Sequence, residues 1–408
     1  MQQSLEIYFA IPAMDEADTL PECISCIEKQ TYGKIKVVIC VNQPEAYWSD
    51  TTKKSVCLNN KKTLEFLNTL AKESYTIIDK SSVGIGWTGK IQGVGWARKT
   101  VMDHIATIAN DEDIIVCMDA DTTFDKDFIA SIVQSFQDNK DAVGMALPYY
   151  HRLTGDEVLD RAVLRYEIYM RYYTLNLFRI HNPYCFTAIG SSMATTVKTY
   201  KAVRGIAPKL SGEDFYFLQK LRKHGNLIVW NEESTYPATR YSERVFFGTG
   251  PALIKGSKDQ WESYPLYSFQ LFDSIIQTYD LFDDLFTKDV VTPMTDFLES
   301  TFNTKDFWQP IRDNFKTLAL FRKSCCEKVD GLRILQYLKS KQKLSDNEAK
   351  YLTEYMKLFH NELFKENETM FEKFTFEHSP VNDLNMVRDM LCQLENNYRK
   401  QYKIIDWY

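Results

Sequence analysis

Two aspartates at the end of an apolar segment are the residues best suited to chemistry. Asp119 and Asp121 directly follow residues 114–118, a run of apolar side chains that predicts a buried strand. Two like charges at a strand end repel each other unless a cation lies between them. A hard divalent cation that shares its coordination shell with phosphate oxygens would supply that charge. The alternative interpretation is that the two aspartates belong to a surface turn.

The Asp-x-Asp spacing is weak evidence by itself, because it occurs twice more nearby. Asp111 and Asp113 come before the predicted strand. Asp125 and Asp127 fit the start of the next predicted helix, where the helix dipole favours carboxylates, and Asp125 is the predicted cap. Only the pair at 119 and 121 directly follows a buried strand, and this position favours it as the site.

The first 150 residues alternate between strand and helix patterns. The predicted strands are 5–11, 34–41, 75–79, 113–118 and 141–147, and the predicted helices are 19–29, 63–73, 96–109 and 126–138. A glycine-rich loop at 81–95 precedes the third of these helices. Strands that alternate with helices indicate an α/β fold, with a mainly parallel sheet and helices on both of its faces.

Polar residues follow three of the predicted strands. In an open α/β sheet, ligands bind beyond the carboxyl ends of the strands. Asp119 and Asp121 lie at one such end, residues 12–16 follow the first strand, and Asn42 follows the second. Three separate segments therefore deliver polar groups to one edge of the sheet, and we expect a binding site there.

The second half of the chain changes in character. Residues 156–179 predict a long helix rich in tyrosine and arginine, for which packing is the main interpretation and contact with a sugar or lipid the lesser one. A helix from about 211 and a strand at 227–230 follow. Beyond about Pro265, long helical patterns dominate and glycine nearly disappears. We predict two domains, 1–260 and 261–408, the second of them all-helical.

Composition argues against several classes of protein. The net charge is −6, whereas a nucleic-acid partner requires a basic face. No apolar run approaches the roughly 20 residues that span a bilayer, and residues 1–16 predict a strand rather than a signal peptide. Nine cysteines, mostly in apolar segments, indicate a reducing, cytoplasmic setting. Cys23 and Cys26 form a C-x-x-C with no second ligand pair, which favours helix packing over zinc.

Residues 11–45 resemble the opening of the family 2 glycosyltransferases, which have the GT-A fold. In that family a P-x-x-x-E loop follows the first strand, here Pro12 to Glu16, and Q-T-Y follows the first helix, here at 30–32. The stretch GVGWARK at 93–99 resembles the family's G-x-x-x-A-R-N. MDADT at 118–122 matches its D-x-D, which binds metal and nucleotide.

Two later segments extend the resemblance. Residues 190–206 resemble the family's acceptor-side segment, and Gly212, Glu213 and Asp214 match its E-D motif. Order and spacing agree over roughly residues 5–250, and the C-terminal third resembles no family that we recognise. The resemblance implies a GT-A fold, which is a Rossmann-like, mainly parallel sheet flanked by helices, followed here by the helical unit.

The resemblance also implies roles for residues on the donor side. Residues of the nucleoside pocket would be Pro12, Glu16 and Asn42, with Asp119 near the ribose or the metal. Asp121 would be the main ligand of Mg²⁺ or Mn²⁺, and Arg98 a nucleotide or phosphate contact. The family usually has aspartate where this chain has Asn42, so a preference for UDP over GDP stays open. The processive Q-x-x-R-W signature is absent, and Arg240 and Arg244 in its region would clamp a pyrophosphate or an acidic acceptor.

The implied activity is transfer of a sugar from a nucleotide donor to a hydroxyl acceptor, with inversion. Asp214 would be the general base, and Glu213 would hold the acceptor or raise the pKa of the base. Alternatively, both acids only occupy a helix N-terminus, where acids are favoured. Two further alternatives are a retaining transferase and a non-catalytic scaffold that binds nucleotide sugars.

The expected partners follow from the same resemblance. We expect a UDP- or GDP-type donor and an acceptor that is a glycan or glycolipid precursor, and no nucleic acid. The expected location is the cytoplasm, with the inner face of the membrane as an open alternative. The helical domain would pack on the catalytic domain, cap the acceptor cleft, form a homo-oligomer or dock on a membrane.

Overall fold

The computed structural model describes residues 5–70, 73–243, 248–342 and 347–402. The chain divides into two compact units. Residues 1–163 and 187–257 form the first unit, and residues 164–186 and 258–408 form the second. The predicted domains, 1–260 and 261–408, stay a prediction.

A seven-stranded sheet forms the centre of the first unit. The strands of the first unit are β1 Ile7–Ala13, β2 Ile35–Asn42, β3 Tyr75–Lys80, β4 Ile114–Cys117, β5 Thr123–Phe124, β6 Ala142–Ala146, β7 Met193–Thr196, β8 Asn226–Ile228 and β9 Thr235–Tyr236. All of them except β5 and β9 belong to the seven-stranded sheet. The order in the sheet is β3-β2-β1-β4-β7-β6-β8, and only β7 is antiparallel to its neighbours. Strands β5 and β9 form a separate antiparallel pair. The prediction of a mainly parallel sheet is therefore confirmed.

Helices cover both faces of this sheet. The first unit contains α1 Leu20–Glu28, α2 Lys54–Leu70, α3 Val94–Ile108, α4 Phe128–Asp138, α6 Val197–Ala202, α7 Glu213–His224 and α8 Thr249–Gly256, with a 3₁₀ helix at Glu45–Trp48. Helix α5 Glu157–Arg179 begins in this unit and continues into the second. The buried faces of α1 and α4 join alternate residues of β1 in one core, among them Phe9 and Ile11. On the other face, Met102 of α3 contacts Cys117 of β4. Alternation along each strand thus supplies an apolar surface to both helical layers.

The structure differs from the local predictions at several points. The helix predicted at 63–73 begins earlier, at Lys54 of α2. Helix α4 begins at Phe128 with Asp127 at its N-cap, so Asp125 is not the cap, because the chain turns before it becomes helical. The predicted strand 227–230 is shorter and spans Asn226–Ile228. Strand β7 was not predicted, because its four residues are too few to show a periodic pattern.

Strand register brings the site residues to one edge. Ala13 of β1 pairs with Val41 of β2, and Ala10 of β1 pairs with Cys117 of β4. All three strands are parallel, so their carboxyl ends meet at the same edge of the sheet. Glu16 follows β1, Asn42 is the last residue of β2, and Asp119 and Asp121 follow β4.

The second unit is helical among the residues described, which confirms the predicted C-terminal helical region. Besides the later part of α5 it contains α9 Phe269–Asp280, α10 Phe282–Thr287, α11 Thr295–Phe302, α12 Gln309–Asn314, α13 Leu318–Lys328, α14 Gly331–Lys341, α15 Glu348–Phe359, α16 Asn361–Glu366, α17 Glu368–Lys373 and α18 Val381–Gln401. Tyrosines of α5 pack within this unit: Tyr172 donates a hydrogen bond to the carbonyl of Tyr267 at 2.9 Å. Across the described part of the chain, no helix is both long and apolar enough to cross a bilayer.

Candidate active site

One arginine joins two of the predicted site carboxylates. Nη2 of Arg240 lies 2.6 Å from Oδ2 of Asp121 and 2.5 Å from Oε1 of Glu16. Burial lowers the pKa of Arg240, but Asp121 and Glu16 outweigh that effect and raise it, so the guanidinium stays charged. A side chain thus supplies the positive charge that the strand-end acids require.

The donor set also fits a divalent cation. Carboxylate oxygens are the ligands that Mg²⁺ and Mn²⁺ prefer. Among the described residues no three acidic, histidine or cysteine side chains come together as a ready-made metal cage. Magnesium sites on nucleotides need no such cage, because one or two carboxylates bind the ion together with phosphate oxygens and water. Asp121 and Asp119 match that kind of shared site.

A second arginine joins the strand end to the predicted catalytic acids. Arg98, on α3, donates to Asp119 through Nη2 at 2.7 Å, to Glu213 through Nε at 3.2 Å, and to the carbonyl of Gly190 through Nη1 at 2.9 Å. Only 1% of its side chain is exposed. Burial lowers the pKa of Arg98, but Asp119 and Glu213 raise it by more, so this buried cation keeps its charge.

Asp214 stands in the first turn of α7, next to Glu213. The residue is half-buried, and its Oδ1 accepts a hydrogen bond from the backbone N–H of Phe215 at 2.7 Å. Burial of the carboxyl and the adjacent charge of Glu213 raise the pKa of Asp214 to about 7, against the opposing effect of Arg98. A carboxyl group with such a pKa can take up a proton near neutral pH, as a general base must.

The remaining predicted residues have different surroundings. Pro12 is buried inside β1. Asn42 is buried as well, and its Nδ2 donates to the carbonyl of Ala13 at 2.9 Å while its Oδ1 accepts from Nε1 of Trp87 at 3.2 Å. Asn42 thus ties together β1, β2 and the glycine-rich loop. Arg244 lies outside the described residues.

The other two Asp-x-Asp pairs have structural partners. Asp113 is buried and accepts hydrogen bonds from the backbone N–H groups of Glu6 at 3.0 Å and Asn110 at 2.8 Å. Asp125 accepts from the hydroxyl of Tyr236 at 3.2 Å. These contacts hold loops in place, in agreement with the distinction drawn from the sequence.

Sequence reasoning missed two residues that shape the site. Trp87 was passed over although it stands in the glycine-rich loop, the one signal that could have drawn attention to it. Gly190 accepts from Arg98 through its carbonyl, and a Cβ atom at this position would lie 2.5 Å from Nη2 of Arg98. Nothing in the local sequence indicates that close approach.

Comparison with known proteins places these residues in a family context. Residues 5–246, more than half of the chain, match the family described as Glycosyltransferase like family 2. No curated protein matches the chain. Similar solved structures include S. aureus TarS 1–349, with 10% identity and a TM-score of 0.41 over 98% of this chain and 93% of that chain. Another is the mannosyltransferase PcManGT from Pyrobaculum calidifontis in complex with GDP-Man and Mn²⁺, with 13% identity and a TM-score of 0.37 over 97% of this chain and 88% of that chain. A third is GalNAc-T7 with UDP, GalNAc and Mn²⁺, with 12% identity and a TM-score of 0.40 over 75% of this chain and 56% of that chain.

Proposed function

The chain belongs to the glycosyltransferase-like family 2, and on that premise we propose that it transfers a sugar, with inversion, from a nucleoside-diphosphate donor to a hydroxyl acceptor. The observation that carries this proposal is the joining of two sets of acids at one sheet edge. Arg98 contacts both Asp119, at the end of β4, and Glu213, the neighbour of Asp214. A leaving-group site and a base are thereby held side by side.

On the donor side, Asp121 and Asp119 are the residues that would hold a divalent cation. When bound, Mg²⁺ or Mn²⁺ would neutralise the negative charge that develops on the departing diphosphate. Glu16, Pro12 and Asn42 surround the same strand ends, which supports a nucleoside pocket there. The choice between UDP and GDP donors stays open.

Arg240 has a role on the same side. Its guanidinium is partly exposed and contacts Asp121 and Glu16. Arginine binds phosphate oxygens through paired charge-assisted hydrogen bonds. When a donor enters, Arg240 exchanges its carboxylate partners for diphosphate oxygens and helps to hold the leaving group. Arg244, from the same stretch of sequence, stays a prediction.

On the acceptor side, the carboxylate of Asp214 takes the proton of the acceptor hydroxyl. The acceptor oxygen then forms a bond to the anomeric carbon while the bond from that carbon to the diphosphate oxygen breaks. The bonding electrons leave with the diphosphate, and the proton stays on Asp214. A single displacement of this kind inverts the anomeric configuration. In a retaining enzyme, Asp214 would orient the acceptor, and the anomeric form of the product distinguishes the two.

The acceptor and the location remain sequence predictions. We keep a glycan or glycolipid precursor as the acceptor class and the cytoplasm, or the inner face of the membrane, as the location. The helical second unit is the predicted place for contacts with other molecules or with a second copy.

Thermal unfolding with nucleotides tests the proposal directly. UDP and GDP are added separately, with and without Mn²⁺. A ligand at about 100 times its Kd adds about 2.7 kcal/mol to the free energy of unfolding, which raises the midpoint temperature of unfolding by several degrees. Release of UDP from UDP-N-acetylglucosamine, or of GDP from GDP-mannose, then measures turnover with water as acceptor. Binding without turnover on any donor or acceptor would favour the scaffold, and the absence of both would overturn the proposal.

A further inference from the structure

Arg98 was expected to contact the nucleotide, but its guanidinium is enclosed by protein. It donates hydrogen bonds to three protein oxygens, those of Asp119, Glu213 and the carbonyl of Gly190. Its side chain is 1% exposed, whereas that of Asp119 is 36% exposed and faces solvent. A phosphate could reach Arg98 only if the arginine left these partners, so direct contact with a donor is disfavoured.

The surrounding backbone keeps the guanidinium in this place. A Cβ atom at Gly190 would lie 2.5 Å from Nη2 of Arg98 and 3.3 Å from Oδ2 of Asp119, so only glycine lets the chain pass so close. At the start of α3, a Cβ atom at Gly95 would lie 2.1 Å from the carbonyl oxygen of Lys209. The segment that leads into α7 therefore packs directly on the helix that carries Arg98.

The contacts of Arg98 connect the two halves of the reaction. Asp119 follows β4, where the leaving group would bind, and Glu213 begins α7, which carries Asp214. The planar guanidinium presents its N–H donors at fixed angles, so it sets the direction of each partner as well as its charge. A lysine would supply the charge without those directions.

We propose that Arg98 is a positioning residue, which fixes the acceptor-side acids relative to the donor-side carboxylate without touching the donor. Through Glu213 it sets the place of Asp214, and its charge offsets the repulsion between the two adjacent acids. This inference rests on the proposed function, since it assumes that Asp214 is the base.

The experiment compares Arg98→Gln, which removes the charge, with Arg98→Lys, which keeps the charge and loses the planar geometry. Arg222→Gln is the matched control, because Arg222 is also buried but lies at the far end of α7, where it donates to the carbonyl of Gly225. The probes are UDP-N-acetylglucosamine and GDP-mannose, whichever the wild type hydrolyses. Donor Kd is measured by calorimetry and kcat by release of the nucleoside diphosphate.

For Arg98→Gln we expect an unchanged donor Kd and a kcat lowered by about 100-fold, the lower end of what a general base contributes. Because Arg98 lowers the pKa of Asp214, the acid limb of the pH–rate profile should also move to higher pH in this variant. Arg98→Lys should keep that limb near its wild-type position while kcat still falls. Arg222→Gln should change neither donor Kd nor kcat.

Gly190→Ala provides a second approach that leaves the arginine in place. The added methyl group displaces the guanidinium, so kcat should fall with an unchanged donor Kd. If Arg98→Gln does not fold, this variant shows whether Arg98 is a positioning residue or a donor contact. If donor Kd rises in step with the loss of kcat/KM in the Arg98 variants, Arg98 is a donor contact and the inference is wrong. A wild type that binds no donor and releases no nucleoside diphosphate overturns the proposed function itself.

Discussion

Nη2 of Arg240 lies 2.6 Å from Oδ2 of Asp121, the carboxylate proposed as the main metal ligand. The same nitrogen lies 2.5 Å and 2.7 Å from the two carboxylate oxygens of Glu16. Nε of Arg240 also donates to Oδ2 of Asp121, at 3.0 Å, so two N–H groups of the guanidinium share this oxygen and a positive charge lies beside it. That charge would repel a divalent cation bound to Asp121, so we expect the arginine and a metal ion to compete for this carboxylate.

Removal of this arginine should strengthen metal binding and weaken nucleotide binding. Hydrogen bonds to charged groups contribute about 1.5–3 kcal/mol, so Arg240→Ala should raise the affinity for Mn²⁺ alone by roughly 10- to 100-fold. The affinity for UDP or GDP in the presence of Mn²⁺ should fall, because the diphosphate loses a partner. Calorimetric titration with Mn²⁺, and then with nucleotide, measures both changes.

Arg152→Ala is the control for loss of an arginine near the sheet. The guanidinium of Arg152 packs 4.0 Å from the ring centre of Tyr236 and has no role in the proposed metal site. Its removal should leave Mn²⁺ affinity unchanged. An unchanged Mn²⁺ affinity in Arg240→Ala would mean that the arginine does not compete with the metal.

Asp121→Asn should abolish the metal-dependent part of nucleotide binding. The amide cannot supply the negative charge that a hard cation requires, so Mn²⁺ should no longer add to the rise in unfolding temperature caused by UDP or GDP. Asp111→Asn is the matched control from the neighbouring Asp-x-Asp pair, because Asp111 contacts Lys201 at 2.8 Å on the surface. Equal effects of the two substitutions on the Mn²⁺-dependent shift would contradict the assignment of Asp121.

Much of this site could be predicted from the sequence, because the information is local. The apolar, β-branched segments at 35–42 and 114–117 form buried strands almost at the predicted positions. Parallel strands end at one edge, so the polar residues that follow them had to lie near each other. The expectation that Asp119 and Asp121 need a cationic partner also follows from charge alone.

What could not be predicted depends on distant contacts. The partners of Arg98 are 21, 92 and 115 positions away along the chain, and no local pattern distinguishes a buried arginine from an exposed one. Asn42 stays a predicted residue of the nucleoside pocket, but its hydrogen bonds to Ala13 and Trp87, 29 and 45 positions away, could not be predicted. Tertiary packing decides such cases, and only the three-dimensional structure contains that information.

Asp214→Asn should remove most of the turnover while it leaves donor binding intact. The amide has no basic oxygen for the proton of the acceptor, so kcat should fall by about 10²–10⁴-fold, the usual contribution of a general base. The Kd of the donor should stay at its wild-type value, since the loss concerns the transition state. A variant that keeps wild-type kcat would exclude Asp214 as the base.

The rate should depend on pH through the same carboxyl group. Only deprotonated Asp214 can accept a proton, and its pKa is raised to about 7, so kcat/KM should increase with pH below about 7 and level off above it. A carboxyl with the ordinary pKa would already give a plateau at pH 5.

The raised pKa of Asp214 also affects stability. Between pH 3.8 and about 7 the folded protein retains a proton on Asp214 that the unfolded chain has released, so this carboxyl favours folding less as the pH rises. The free energy of unfolding should therefore depend less on pH in Asp214→Asn than in the wild type.

Buried charges in the second unit should matter far more for stability than exposed ones of the same kind. Glu395 of α18 is fully buried and contacts Arg399, four positions on, at 2.6 Å and Arg171 of α5 at 2.6 Å. Glu395→Gln leaves two buried cations short of a partner and should cost about 3–5 kcal/mol, which lowers the unfolding midpoint by roughly 10 °C. Glu157 forms the same four-residue pair with Arg161, at 3.2 Å, but its side chain is 75% exposed. Because solvent screens that pair, Glu157→Gln should change the midpoint temperature of unfolding little. Equal shifts in the two variants would show that burial does not determine how much these ion pairs contribute to stability.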